Sequence, residues 1–183
     1  DASLERLWEV SHDVGELDLA QIARIGSGDC RVPTLREVLD TIGVPLMVDF
    51  TGEEVVHGAL EEVRRARAAE RCMFVTGNVP ALRMLRSLAP AVRIGLTWTK
   101  AEAPPRWLLD ELRADFWNPW FPLLRVDDVA EMHAAGTQVS TWTVDEHEDM
   151  VRVLSAGVDA VVSNRIHELR SMLSGPEPRA RTP

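Results

Sequence analysis

From Val139 to Asn164 the chain reads V-S-T-W-T-V-D-E-H-E-D-M-V-R-V-L-S-A-G-V-D-A-V-V-S-N, and this stretch constrains the fold more than any other. Val139, Thr141 and Thr143 alternate with Ser140, Trp142 and Val144, a β-rich run of period two. Helical spacing follows, with Met150, Val151, Val153 and Leu154 recurring three and four residues apart and Asp145 standing where an N-cap belongs. Gly157 ends that helix, and Val158, Ala160, Val161 and Val162 form an apolar run short enough only for a strand. Two strands joined by one helix through short loops must run parallel. A parallel sheet buries both faces, so further units of the same kind should flank this one.

The rest of the chain supplies them. Strand-like runs centre near residues 46, 73, 94, 116, 140 and 160, each followed by a helical segment. Six repeats at this spacing are two short of a closed β/α barrel. Thr34 precedes Glu37 by three residues, with Leu35, Val38, Leu39 and Ile42 on one face, so a capping box opens an amphipathic helix that Gly43 closes. P-L-M-V-D-F-T, residues 45–51, is the first full strand, and its one carboxylate, Asp49, falls near the C-terminal end where a barrel places its chemistry. Asp49 either presents an oxygen to that end or caps the helix after Gly52. That helix, over 53–69, turns Val55, Val56, Leu60 and Val63 inward and leaves Glu61, Arg64, Arg65 and Arg67 solvated. Asn78 with Pro80 opens the next one. Residues 26–29 read as a polar loop. In D-F-W-N-P-W-F-P-L-L, residues 115–124, two prolines end a strand near Asn118, and Trp117 and Trp120 either wall a pocket or cover the barrel rim. Ile166, Leu169, Met172 and Leu173 make a closing helix, and 175–183, rich in Pro and Arg, reads as a disordered tail.

Composition narrows the function. At 45% apolar, 183 residues can bury the core of one domain. Twenty basic against twenty-nine acidic side chains give a net charge of −9, spread along the chain, which argues against nucleic acid and anionic membranes as partners. An anionic ligand would therefore need a local cation. Cys30 and Cys72 make no disulfide framework, and Cys72 reads as a small buried hydrophobe. No apolar run approaches the roughly 20 residues that span a bilayer, so stable membrane insertion is not expected; a cytoplasmic location is the expectation, to which the missing signal peptide adds nothing because the chain begins at Asp1 without Met. His12, His57 and His133 have no partners at metal-ligand spacing and read as structural or surface residues.

W-T-V at 142–144 followed by G-V-D-A-V-V-S-N from Gly157 resembles the last two strands of glycerophosphodiester phosphodiesterases, usually W-T-V-N and then G-V-D-G-I-I-T-D or T-N. V-P-T-L-R-E-V-L from Val32 is similar to that family's I-P-T-L-E-E-V-L. The resemblance implies a TIM (β/α)8 barrel, here six of its eight β/α units and N-terminally truncated, with residues 1–174 forming the partial barrel domain. It implies metal-dependent hydrolysis of a glycerol phosphodiester, a small-molecule substrate, to an alcohol and glycerol phosphate, with Mg2+ or Ca2+ as cofactor of the full-length protein. The family strand I-E-I-K, whose Glu binds the metal and whose Lys faces the phosphate, is matched by Asp49 and Thr51. Asp keeps a hard oxygen one methylene shorter, whereas Thr removes a cation. By the same likeness Trp142 is the apolar wall under the substrate glycerol, Asn164 orders the top of the barrel, and Asp1 belongs to the motif H-D-x-x-L-x-R. The family words H-R-G and P-E-N-T do not occur in these residues, and Glu16-Leu17-Asp18 falls in the family's variable v-x-e-L-t-L segment. With one metal carboxylate left, this chain alone is expected to be inactive, and a degenerate barrel that binds without turnover is the alternative. Trp98, Trp117, Phe121 and Leu123 around the mouth would tolerate a lipid as well as a small head. Two open sheet edges would also admit a homo-oligomer.

Overall fold

The computed structural model describes residues 3–28 and 30–174; Asp1, Ala2, Asp29 and the tail 175–183 lie outside the described residues. Six strands form one parallel sheet in chain order: β3 Leu46–Asp49, β4 Cys72–Thr76, β5 Arg93–Trp98, β6 Phe116–Pro119, β7 Gln138–Thr141 and β8 Ala160–Val161. They fall at the six positions expected from the apolar runs. Before them, β1 Gly26–Ser27 and β2 Cys30–Arg31 pair antiparallel, so the stretch read as a plain polar loop carries a short ribbon. The helices are α1 Glu5–Trp8, α2 Leu19–Ile22, α3 Leu35–Thr41, α4 Val56–Arg65, α5 Val79–Leu88, α6 Arg106–Leu112, α7 Val126–Ala134, α8 His147–Ser155 and α9 Ile166–Ser174. Strands wound in sequence order, with helices between them, make a curled arc of a (β/α) barrel. Among the described residues no helix is long and apolar enough to cross a membrane.

Strand register fixes which side chains face the barrel axis. Asp49 pairs with Val75, Val75 with Gly95, and Gly95 with Phe116, while Thr97 pairs with Asn118. Because successive side chains alternate, these residues line the inside and Phe74, Ile94, Leu96, Trp117 and Val139 turn outward to the helices. There they meet Leu60, Val63, Leu82, Leu85, Leu109, Met132, Met150 and Val153 in one buried cluster. Phe74 is fully buried and meets Phe50 edge to face, with ring centroids 6.3 Å apart. Gly95 is glycine for lack of room: a Cβ there would stand 2.8 Å from Cγ1 of Val75 and 3.5 Å from Cβ of Phe116.

The local signals explain the helix starts. Thr34 and Glu37 form the expected capping box, the Thr34 amide donating to Glu37 at 2.8 Å and the Glu37 amide to the Thr34 hydroxyl at 3.2 Å. Asn78 caps α5 by accepting from the Ala81 amide at 3.0 Å. Val55, expected to turn inward, is exposed instead, as are Val126 and Ile166, each at or before the first turn of its helix. Leu173 is exposed at the far end of α9, leaving Leu169 and Met172 to dock it.

Candidate functional site

The C-terminal ends of the strands surround a pocket of about 160 Å³. Met47 and Asp49 of β3, Val75 of β4, Thr97 of β5 and Asn118 of β6 line it, together with Trp142 and Thr143 beyond β7 and Val162 beyond β8. A chain of hydrogen bonds holds its inner wall. Asn118 Nδ2 donates to the Thr97 hydroxyl at 3.2 Å, and the Ser140 hydroxyl donates to Asn118 Oδ1 at 2.8 Å. The Trp142 indole N–H donates to the Asn118 carbonyl at 3.1 Å, which fixes the ring at the mouth with one side half-buried. The peptide between Trp142 and Thr143 is cis.

Two of the three expected site residues, Asp49 and Trp142, share this pocket. Thr51 does not: it lies two residues past the end of β3, exposed, with its carbonyl accepting from Asn78 Nδ2 at 3.2 Å. Nor does Asp49 cap a helix, since the turn Glu53–Val55 starts from Gly52 with no side-chain cap. Asp49 keeps contact with solvent, yet the protein around its carboxyl withdraws part of its hydration, and that burial pushes its pKa up. A raised folded value means that the protonated form is the one folding favours. The benefit is present at low pH and lost as pH rises through the folded value. Asp49→Asn is therefore expected to be more stable than the parent at neutral pH, with the difference vanishing in acid; chemical denaturation at both pH values measures it.

Trp98 and Trp117 correct the expected mouth. Both are buried against the helix layer, because Thr97 and Asn118 take the inward positions beside them. Trp120 is the exposed indole on the rim, bridged by its backbone to Trp142. Pro119 sits within β6 and not in the loop beyond it; as the last strand residue it can spare an N–H, and its carbonyl accepts from the Thr141 hydroxyl at 2.9 Å.

Asp145 is a second correction. Helix α8 starts from Glu146 with no side-chain cap, and Asp145 instead takes three donors from the loop after β8. These are the Asn164 amide at 2.8 Å, Asn164 Nδ2 at 2.9 Å and the Ser163 hydroxyl at 3.1 Å. The carboxylate thus ties the loop that carries Trp142 and Thr143 to the loop that carries Val162. Asn164 orders the top of the barrel as expected, with Asp145 as its partner. The bonds from Asn164 hold the Asp145 carboxyl below its ordinary value of 3.8. A depressed folded value gives stability that is present above 3.8 and lost as pH falls through the folded value. The Asn164 amide is expected to exchange faster in Asp145→Ala at neutral pH, and in the parent only in strong acid; hydrogen exchange followed by NMR reads both.

The profile of the glycerophosphoryl diester phosphodiesterase family matches residues 1–168. The chain belongs to that family. A glycerophosphodiester phosphodiesterase of Caldanaerobacter subterraneus subsp. tengcongensis is 27% identical over 180 residues, covering 90% of this chain and 74% of the relative. The structure of a glycerophosphoryl diester phosphodiesterase from Silicibacter pomeroyi DSS-3 superposes with a TM-score of 0.73 at 26% identity, over 79% of this chain and 57% of that one. An Oleispira antarctica phosphodiesterase, in complex with the product sn-glycerol-3-phosphate, superposes with a TM-score of 0.86 at 19% identity, over 96% of this chain and 78% of that one. The fold is thus the glycerophosphodiester phosphodiesterase barrel and the function is phosphodiesterase-like, of the phosphoric diester hydrolase class. Asn118 and Thr97 escaped the sequence reading because neither carries a charge and no local pattern gives the register that turns both inward.

Proposed function

We propose that this pocket is the glycerol-phosphate end of a phosphodiesterase active site. Asp49 is one oxygen ligand of a divalent cation, and the Trp142 ring is the apolar wall for the C–H face of the glycerol. The reading rests on one observation: two residues far apart in sequence, a carboxylate and an indole, line the same pocket at the end of the sheet where barrel enzymes do their chemistry.

The family is generally dependent on a divalent metal. Among the described residues, however, no three His, Cys, Asp or Glu side chains come together where they could hold an ion. Mg2+ or Ca2+ wants six or more oxygens, so Asp49 alone is no complete cage. Cleavage of a phosphodiester also needs a proton donor for the leaving alkoxide and a charge clamp on the phosphorus. These 183 residues therefore bind the glycerol-phosphate portion and leave the diester uncut. Incubation of the chain with glycerophosphocholine and either ion should release no choline above background, while calorimetry detects binding of sn-glycerol 3-phosphate. Turnover by these residues would refute the division of labour, and absent binding would refute the pocket. Among the described residues the outer edge of β3 is unpaired, with Val44 exposed beside it, which supports self-association in the same reading. Light scattering that returned a monomer at every concentration would remove that part.

A further inference from the structure

An acidic chain that takes an anionic ligand needs a cation at the mouth, and Thr51 supplies none. Three arginines at the same end of the sheet are engaged. Arg106 pairs with Asp110 at 2.7 Å and Arg125 with Asp128 at 2.6 Å, and Arg165 reaches Glu168 at 3.3 Å and the Asp145 carbonyl at 3.3 Å. Lys100 differs from them. It is the single lysine of the chain, two residues past the end of β5, exposed, and without a carboxylate partner among the described residues. Its ammonium rests 4.9 Å from the centroid of the Trp98 ring.

We propose that Lys100 is the cation that receives the phosphate of the ligand at the pocket mouth, leaving the Trp98 ring to do so. The inference rests on the pocket being a glycerol-phosphate site, as proposed above. Three features carry it. Thr97, which lines the pocket, precedes Lys100 by three residues on the same strand end, so their Cα atoms are at most about 11 Å apart. The lysine stem is long and freely rotating, so its ammonium can cover much of that distance. Its present contact is also easily surrendered, because an exposed cation–π contact is weaker than a charge-assisted hydrogen bond to phosphate. In the ion-free chain, Asp49 at the same mouth and a net charge of −9 would repel an anion that lacked such a partner.

A single lysine makes the test direct. Reductive methylation with 13C-formaldehyde labels only Lys100 and the N-terminal amine, and it keeps the charge. On titration with sn-glycerol 3-phosphate, the Lys100 methyl signal should move away from its ring-shifted position in step with the Trp142 indole N–H. Titration with glycerol should leave it in place. Lys100→Gln should weaken sn-glycerol 3-phosphate binding about tenfold in low salt and leave glycerol binding unchanged. The loss should shrink in about 0.5 M salt, and Lys100→Arg should restore most of the affinity. If the Trp142 signal titrates while the Lys100 signal stays still and Lys100→Gln binds like the parent, the proposal is wrong and the pocket stands. If neither signal responds, both fall.

Discussion

Arg86→Met is expected to lower the unfolding free energy by roughly 3–5 kcal/mol, the largest loss from any single polar side chain here. The guanidinium donates to four carbonyls in two segments: Leu112, Pro90, Val92 and Arg113, each at 2.8 Å. It also faces Asp115 at 3.6 Å. Those carbonyls belong to the turn before β5 and to the end of α6, so one side chain closes the floor of two adjacent β/α units. Burial lowers the Arg86 pKa from its ordinary value, which marks how far the charge is withdrawn from water. Methionine would keep the apolar stem but leave the carbonyls without their donor. For a domain of this size the melting temperature should fall by roughly 6–20 °C. Arg83→Met is the control, since Arg83 pairs with Glu111 in solvent at 2.7 Å, and an exposed, screened pair of this kind contributes little. Equal losses from the two substitutions would show that the carbonyl cluster does not hold the floor.

The second large effect is on binding. Trp142→Ala is expected to weaken sn-glycerol 3-phosphate by roughly 10–100-fold, because it removes the one aromatic face in the pocket and frees the Asn118 carbonyl that held it. Stability should change far less, since the ring is only half-buried at the rim. Thr51→Ala, outside the pocket, should bind within about twofold of the parent, inside the noise of an ordinary surface change. Calorimetry on the three proteins separates these outcomes. A larger loss from Thr51→Ala than from Trp142→Ala would move the phosphate to the turn after β3.

Much of this was legible in the sequence. The six apolar runs and the helices between them dictated a parallel arc because each signal was local: a period of two, a period of 3.6, a cap, a glycine. Asp49 was readable as a candidate from its place at a strand end, and Trp142 from the likeness of W-T-V to the family's strand; the two line one pocket. What failed was contact that no local pattern encodes. Asp145 looked like an N-cap because it precedes a helix, but its donors arrive from Ser163 and Asn164, one β/α unit later. Arg86 sits among helix positions that usually face solvent, and its acceptors lie in other turns of the chain. Trp117 and Trp120 had the same aromatic promise, and only the strand phase set by Asn118 decided that Trp117 packs outward and Trp120 stands on the rim.

A crystal of the chain soaked in sn-glycerol 3-phosphate tests the central claim most directly. The account predicts density for the glycerol against the Trp142 ring, with the ligand's oxygens turned toward Asp49 and the open mouth, and no such density in crystals of Trp142→Ala. Ligand bound at the opposite end of the strands, or an empty pocket beside an occupied surface elsewhere, would contradict it.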